Sequence, residues 1–189
     1  YPKTKTKGLS FYKSMAITKQ QLRKVLKDRI NKLSQVQKEK ESNIIVNAIK
    51  QHPAYSRAKT IATYYPTSNE VDLRELHKIH PDKHFFYPHY HNATYHLART
   101  GHPPQFKTGP FNLQEPINII ETLSAKQAKQ QINLWLVPGL GFDQNNNRLG
   151  KGKGVYDQFL ANAKGITLGI CFQTQKVNSI PTDPWDIPM

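Results

Sequence analysis

The chain of 189 residues is 37% hydrophobic and 10% aromatic, a composition that indicates one globular domain and excludes a disordered protein. Its net charge of +14 is uneven, because residues 1–60 carry 15 basic and 3 acidic side chains whereas the remainder carries 12 and 10. No apolar run is long enough to span a bilayer, so we expect no membrane association. The single cysteine, Cys171, suits a reducing, cytoplasmic location and is expected to be a small buried core residue.

Two capping boxes predict helices in the basic N-terminal third. Residues 18–21 begin a helix whose apolar side chains follow helical spacing as far as Leu33, and residues 34–37 begin a second helix that ends before Pro53. Residues 1–14, in contrast, are basic and polar, and they lack the apolar segment of a secretory signal. We expect them to be an extension, native or appended, with little role in the fold.

Short strands and helices alternate through the rest of the chain. The strands predicted from β-branched, aromatic and apolar runs are residues 60–65, 84–87, 95–97, 134–137 and 166–172, of which the last two are expected to be buried. The predicted helices are residues 71–79, residues 125–131 and a segment that begins near Gly154. This alternation predicts an α/β fold, a sandwich around a mostly parallel sheet.

A loop rich in glycine and lysine, residues 148–157, follows the buried strand 134–137. Ligands of α/β folds bind beyond the carboxyl ends of the strands, so this is the expected place for a site. Glycines let backbone N–H groups approach an anion, and neighbouring cations add full positive charges. The glycines are Gly150, Gly152 and Gly154, and the cations are Arg148, Lys151 and Lys153.

The residues of this loop leave its ligand open. The spacing matches neither the Walker pattern nor the dinucleotide fingerprint, and a loop of this composition is also common as a plain surface turn. Asp157, at its end, could hold a divalent cation that bridges phosphates, or it could stabilise the first turn of the next helix. The loop alone therefore predicts an anion-binding turn.

Five segments in the same order resemble the 5-formyltetrahydrofolate cyclo-ligases, also called methenyltetrahydrofolate synthetases. The most specific is residues 137–143 followed by residues 148–157; the others are residues 19–23, 70–71, 111–116 and 184–188, the last in the bacterial version of the motif. The resemblance covers about residues 16–189. It implies a three-layer α/β/α sandwich and a single catalytic domain over residues 15–189.

The resemblance implies an ATP- and Mg²⁺-dependent conversion of 5-formyltetrahydrofolate into 5,10-methenyltetrahydrofolate, with ADP and phosphate released. The implied catalytic residues are Arg148, Lys151 and Lys153. The implied ATP contacts are Lys19, Gln20, Gln21, Leu22, Arg23, Arg148, Leu149, Gly150, Lys151, Gly152, Lys153, Gly154, Val155 and Tyr156. The implied substrate contacts are Tyr65, Glu70, Lys151, Gly152, Lys153, Gly154 and Val155, and the implied metal ligands are Asp157 and Asp186.

The chemistry of such a reaction explains the residue types. A formamide is a poor electrophile, and transfer of the ATP γ-phosphoryl group to the formyl oxygen turns that oxygen into a leaving group. Because the substrate supplies both nucleophiles, the enzyme has only to position the reactants and neutralise charge. Lys19 and Arg23, one helical turn apart, can face one triphosphate. Val155 stands where the family usually has an aromatic residue, so a stacking contact is expected to be absent or replaced.

Two other functions compete with this one. The basic N-terminal third and the aromatic residues of the strands are also compatible with nucleic-acid binding, although aromatics in strands more often fill a core. The loop could also serve an ATP-dependent kinase or ligase that acts on another substrate. We expect a monomer that acts on a small molecule and has no obligate nucleic-acid or membrane partner.

A run of histidines in the middle of the chain raises a separate possibility. A His-x-His pair can bind zinc, but a catalytic zinc site needs three well-placed ligands. Histidines at the surface or at the edge of a pocket are the alternative. The residues concerned are His84, His89, His91 and His96.

Overall fold

A computed structural model of the protein describes residues 17–109 and 114–189; the predictions for residues 1–14 and for residues 111–113 lie outside these ranges. The helices within them are α1 (Lys19–Asn31), α2 (Gln35–Gln51), α3 (Pro53–Arg57), α4 (Arg74–Ile79), α5 (Ala125–Gln131) and α6 (Asp157–Leu160). The strands are β1 (Thr60–Ala62), β2 (His84–His91), β3 (Thr94–Thr108), β4 (Gln114–Leu123), β5 (Leu134–Pro138), β6 (Gly141–Asp143), β7 (Arg148–Leu149), β8 (Ile166–Ile170) and β9 (Lys176–Val177).

Six of the described strands form the main sheet, in the order β4-β3-β2-β1-β5-β8. The four strands β2, β1, β5 and β8 are parallel to one another, whereas β3 and β4 continue the sheet as an antiparallel hairpin. A small second sheet has the order β7-β6-β9. The predicted α/β fold with a mostly parallel central sheet is therefore confirmed.

Alternate side chains of the central strands face two separate cores, which makes the fold three-layered. In β5, Leu134 and Leu136 pack in a core with residues of α1 to α4, whereas Trp135 and Val137 pack in a second core with residues of α5 and α6. All four side chains are fully buried. The continuous apolar run in β5 thus reflects a strand that is covered on both faces.

The helix starts follow the sequence closely. The capping boxes predicted at Thr18 and Ser34 are both present, and a third one at Ser124 begins α5. In each, the side-chain oxygen and the glutamine three residues later satisfy N–H groups that would otherwise lack partners. None of the helices in the described part of the chain is long and apolar enough to cross a membrane.

The antiparallel half of the sheet differs most from the prediction. The strand predicted at 95–97 is the beginning of the fifteen-residue β3, and its partner β4 was not predicted at all. The register of this hairpin shifts between Arg99 and Gln105, a segment that contains two prolines. Prolines and polar residues obscure the alternation of apolar side chains by which a strand is recognised in a sequence.

The C-terminal strand prediction was also wrong in part. The segment 166–172 is a strand only as far as Ile170, and it is not buried on both faces, since Ile166 is 47% exposed. The reason is its place at the edge of the sheet. Cys171, which follows it, is half-buried, and this burial raises the pKa of its thiol to about 11. The first strand is also shorter than predicted, since β1 ends at Ala62 and not at residue 65.

Candidate active site

A short hairpin joins the central strand β5 to the glycine-rich loop. The strand ends at Pro138, after which β6 and β7 form a narrow hairpin in which the Leu140 N–H donates to the Leu149 carbonyl oxygen (2.7 Å). Since β5 lies in the middle of the parallel strands, this hairpin returns the chain to the carboxyl edge of the sheet. Arg148 and the loop that follows it begin there.

The turn between β6 and β7 is held by one buried carboxylate. Asp143 accepts hydrogen bonds from the backbone N–H groups of Asn145 (2.9 Å), Asn147 (3.0 Å) and Ile180 (2.9 Å). Burial alone would raise the pKa of Asp143, but these bonds outweigh it and hold the pKa below its usual value. Asp143 therefore fixes the turn between β6 and β7 and links it to the C-terminal segment at Ile180.

Two glycines of the loop have a backbone conformation that is compatible with an anion-binding turn. Gly152 and Gly154 have φ angles of 87° and 65°, in the left-handed region that favours glycine. The helix predicted to begin near Gly154 begins at Asp157 and has a single turn of four residues. A helix this short has little macrodipole. The positive potential of the loop therefore comes from its own N–H groups and its cations.

Helix α1 packs against this loop through Arg23. The Nε of Arg23 donates to the carbonyl oxygen of Gly150 (3.0 Å), and a β-carbon at position 152 would lie 3.6 Å from the Arg23 Cζ. That distance is an ordinary van der Waals contact, so the positive φ of Gly152, rather than a lack of space, favours glycine there. The hydrogen bond joins residues that are 127 positions apart in the chain.

The same helix also binds the C-terminal segment. The ammonium group of Lys19 donates to the carboxylates of Asp183 (2.6 Å) and Asp186, and the Asp183 N–H donates to Asp186 (2.7 Å). Burial by itself raises the pKa of Asp186, but the bonds from Lys19 and from the Asp183 backbone hold it below its usual value. Asp186 is therefore kept as a charged carboxylate beside the loop.

Arg148, at the start of the loop, is paired with Asp157 at its end. The Arg148 Nη2 lies 2.5 Å from the Asp157 Oδ1, and the Arg148 side chain is only 7% exposed. Its guanidinium group lies 5.7 Å from the centre of the Tyr156 ring. The Tyr156 hydroxyl is buried without a hydrogen-bond partner among the described residues, and burial raises its pKa well above the usual value. The side chains of Arg148, Tyr156 and Asp157 therefore bring the first and last residues of the loop into contact.

The tip of the loop contacts the segment that follows β1. The Lys151 Nζ lies 2.7 Å from the Glu70 Oε1, and the other carboxylate oxygen of Glu70 accepts bonds from the Thr67 N–H (3.0 Å) and the Thr67 hydroxyl (2.9 Å). The Glu70 side chain is only 12% exposed. Thr67 therefore sets the orientation of a mostly buried carboxylate that faces the loop.

Tyr65 lies on the same side and is held between two neighbours. Its ring stacks on Phe106 of β3 with the centroids 4.0 Å apart, and the guanidinium group of Arg74 lies 5.8 Å from its ring centre. Val155, by contrast, is buried in the second core together with Trp135. The position where the family usually has an aromatic residue thus holds a packed aliphatic side chain.

These elements enclose one cavity of about 320 Å³, which has the size of a small-molecule pocket. Most of the predicted site residues line it, although they come from four separate parts of the chain. They are Lys19, Arg23, Tyr65, Glu70, Arg148, Leu149, Gly150, Lys151, Gly152, Lys153, Gly154, Val155, Tyr156, Asp157 and Asp186.

Three predicted ATP contacts lie outside the cavity lining. Gln21 is exposed and closes the capping box with Thr18, and Gln20 is exposed as well. Leu22 packs in a small core with Leu26. Helix geometry explains why only Lys19 and Arg23 of this segment line the cavity. They are four positions apart and share a helix face, whereas the residues between them lie on other faces.

The cavity also includes residues that the sequence reasoning missed: Lys27, Tyr64, Thr67, Pro88, Gln114, Pro138 and Gly139. Two of them had a signal in the sequence. Lys27 follows Arg23 at the same four-residue spacing that joins Lys19 to Arg23, and Thr67 precedes Glu70 at the spacing of a capping box. Tyr64 follows β1 and Pro88 belongs to β2, and only the parallel pairing of these two strands brings them to the same end of the sheet.

Two of the carboxylates that border the cavity could hold a magnesium ion. Asp157 and Asp186 both line it, each beside a cation of the same site. Magnesium is usually bound by one or two carboxylates together with substrate phosphates, so it needs no closed set of protein ligands. Residues 17–109 and 114–189 contain no cluster of three or more His, Cys, Asp or Glu side chains suited to a metal.

Three of the four histidines considered for zinc are neighbours, with the ring centroids of His89 and His91 6.0 Å apart, whereas His84 lies elsewhere. His84 is exposed and borders a different cavity of about 190 Å³. The Nδ1 of His89 lies 3.4 Å from the buried carboxylate of Glu115, and the rings of His91 and His96 are 6.5 Å apart. Even so, within the part of the chain that the structure describes, these side chains form no group of three or more that could hold a metal ion.

Comparisons with known proteins agree with this architecture. A model of the 5-formyltetrahydrofolate cyclo-ligase family matches residues 16–189. The chain is 29% identical over 184 residues to the 5-formyltetrahydrofolate cyclo-ligase of Haemophilus influenzae, covering 90% of this chain and 94% of that protein. It is 28% identical over 182 residues to the mouse cyclo-ligase, covering 89% of each.

Two solved structures have the same fold. The 5,10-methenyltetrahydrofolate synthetase of Aquifex aeolicus superimposes with a TM-score of 0.77 at 33% identity, covering 90% of this chain and 86% of that one. The Mycoplasma pneumoniae synthetase gives a TM-score of 0.65 at 26% identity, covering 92% and 96%. The chain therefore belongs to the 5-formyltetrahydrofolate cyclo-ligase family and is an enzyme of that class.

Proposed function

We propose that a monomer with one catalytic domain, residues 15–189, uses Mg²⁺-ATP to convert 5-formyltetrahydrofolate into 5,10-methenyltetrahydrofolate, releasing ADP and phosphate. Membership of the family supports the overall conversion. One observation carries the ATP-dependent mechanism: a loop of glycines and cations and a wall formed by Tyr65 and Glu70 border a single cavity. A site of this kind can hold a phosphate chain next to a heterocyclic substrate.

The nucleotide side of the proposed site is the loop with helix α1. Lys151 and Lys153 lie among glycines whose N–H groups can bind phosphate oxygens, and Arg148 adds a guanidinium group at the base. Arg23 is already oriented by the Gly150 carbonyl oxygen. We assign catalysis to Arg148, Lys151 and Lys153 because their charges can stabilise the negative charge on the phosphoryl group during its transfer.

The substrate side is the segment after β1. Tyr65, held in place by Phe106 and Arg74, lines the cavity and offers it aromatic surface against which a planar heterocycle can pack. Glu70, oriented by Thr67, offers a carboxylate to N–H donors of the pterin. Because Lys151 is paired with Glu70, the two sides of the site are already in contact across the cavity.

The reaction then needs no nucleophile from the protein. The formyl oxygen attacks the γ-phosphorus, so that its new bond to phosphorus replaces the bond to ADP. The neighbouring amine nitrogen attacks the activated carbon and loses its proton, and the oxygen leaves as part of phosphate. Asp157 and Asp186 would hold a magnesium ion, which would neutralise part of the phosphate charge. The protein contributes positioning, cations and a site that excludes part of the water.

Turnover by the purified protein tests this function. With Mg²⁺-ATP and 5-formyltetrahydrofolate, we expect the absorbance of the methenyl product to appear, and we expect it to be abolished when EDTA removes the metal or when ATP is omitted. The same assay with an established cyclo-ligase is the control. A folded protein that gives no product beside an active control would contradict the proposal, and product formation without ATP would contradict the mechanism.

Replacing Thr67 with valine is expected to raise KM for 5-formyltetrahydrofolate about tenfold, while KM for ATP stays unchanged. The substitution keeps the volume of the side chain but removes a hydrogen bond to a charged group, which is worth about 1.5–3 kcal/mol. Steady-state kinetics with each substrate varied in turn measure the effect. Thr67→Ser, which retains the hydroxyl, is the control and should restore the wild-type KM; a valine variant with wild-type kinetics would disprove the role of Thr67.

A further inference from the structure

Helix α1 presents three cations to the cavity rather than the two that were expected. Lys19, Arg23 and Lys27 are spaced four residues apart, and all three line the same wall. An α-helix rises about 6 Å over four residues, so the wall carries a positive charge at roughly 6 Å intervals. The third cation extends the wall about 12 Å beyond the first along the helix axis.

The first two cations have partners, whereas the third has none among the described residues. Lys19 is paired with Asp183 and Asp186, and Arg23 donates to the Gly150 carbonyl oxygen. Lys27 makes no hydrogen bond or ion pair with any described residue, and its side chain is exposed at the mouth of the cavity. A cation in this position is available to an anionic group of a ligand.

The contacts of the next helical turn place Lys27 on the substrate side of the cavity. One turn beyond Lys27, the Asn31 side chain accepts a hydrogen bond from Asn69 (3.1 Å), which is next to Glu70. Lys38 of α2 holds the same segment through Asn69 (2.8 Å). The end of α1 that carries Lys27 is therefore fastened to the loop that presents Glu70.

The opposite end of α1 lies with the proposed metal ligands and phosphate loop. Lys19 contacts Asp186, and Arg23 contacts the loop at Gly150. The phosphates of ATP are thus expected at that end, where the loop N–H groups are concentrated. The other anionic groups of the two reactants are the carboxylates of the glutamate tail of 5-formyltetrahydrofolate.

We propose that Lys27 binds a carboxylate of the glutamate tail of 5-formyltetrahydrofolate, an inference that rests on the proposed function. The free ammonium group at the cavity mouth would form an ion pair there, next to the wall that holds the pterin. Lys27 thereby becomes a binding residue for the substrate tail, with no part in the phosphoryl transfer.

Replacing Lys27 with methionine tests this role, because methionine keeps an unbranched apolar chain and removes the charge. We expect KM for 5-formyltetrahydrofolate to rise about fivefold, an effect at the upper end of the range for exposed ion pairs. KM for ATP, kcat and Tm should not change. Lys24→Met is the matched control, since Lys24 is exposed on the same helix but does not line the cavity.

A truncated substrate separates a direct contact from a general effect of charge. For the same formylated pterin–aminobenzoate without its glutamate, we expect wild type and Lys27→Met to have equal KM values. An equal loss with both substrates, a rise in KM for ATP, or the same effect in Lys24→Met would overturn the assignment.

The affinity of Lys27→Met and of Lys24→Met for 5-formyltetrahydrofolate can also be measured by calorimetry without ATP, so that no turnover occurs. Failure of the proposed reaction and failure of the Lys27 contact are therefore distinguished. Weaker binding by Lys27→Met than by Lys24→Met supports the contact, and equal binding by the two variants rejects it.

Discussion

Replacing Lys153 with methionine is expected to lower kcat about 10²–10³-fold, the loss typical for removal of one group that stabilises transition-state charge. Lys153 lies between Gly152 and Gly154, whose left-handed backbone turns the loop into the cavity. Its ammonium group is thus carried by the segment where phosphate is proposed to bind. Since its side chain is exposed, Tm should remain within experimental error of the wild type.

Stopped-flow or steady-state measurement of methenyl product gives kcat for this variant. Lys164→Met is the control, since Lys164 is an exposed lysine that does not line the cavity, and it should retain full activity. A Lys153→Met enzyme with wild-type kcat would show that this loop is not the site of phosphoryl transfer. A parallel loss in the Lys164 variant would indicate a general effect of net charge.

Replacing Trp135 with alanine is expected to lower the free energy of unfolding by about 3–5 kcal/mol, as for other large-to-small changes in a core. Trp135 is fully buried in the central strand β5 and packs with Phe159 in the second core. Its Nε1 has no hydrogen-bond partner among the described residues, so the substitution leaves none of their acceptors without a donor. The loss is therefore one of packing.

Urea unfolding monitored by circular dichroism measures this effect. The other tryptophan of the chain provides the control, because Trp185 is 75% exposed and its replacement by alanine should change the free energy of unfolding by less than about 0.5 kcal/mol. Equal destabilisation by the two substitutions would contradict the assignment of Trp135 to the core. A change in the m-value as well would indicate that the unfolded or native state had changed in compactness.

The glycine-rich loop could be located from the sequence because its signal is local. Glycines, cations and Asp157 are neighbours in the chain, and they follow an apolar run that is recognisable as a buried strand. Glycine backbone freedom and lysine charge are properties of the residues themselves. The expected turn could thus be predicted without knowledge of the remaining fold. The length of the helix that follows was overestimated, because Val155 and Phe159 suggested an earlier start than Asp157.

The opposite wall of the cavity was predicted only through the resemblance to a family. Tyr65 and Glu70 have no local pattern that indicates a ligand, since an aromatic before proline and a glutamate in a turn are common. The structure adds the contacts that orient them, from Phe106 to Tyr65 and from Thr67 to Glu70. Phe106 belongs to the long hairpin that the sequence analysis missed.

By itself, the sequence determined the features that depend on a few adjacent residues: the capped helix starts, the buried strand β5 and the position of the loop rich in glycine and lysine. Only the tertiary structure determined which charged side chains form ion pairs. Lys151 pairs with Glu70 across 81 positions and Lys19 with Asp186 across 167, and Lys27 has no described partner. The physical reason is that an ion pair depends on the distance between two side chains, and that distance is set by strand order and helix packing.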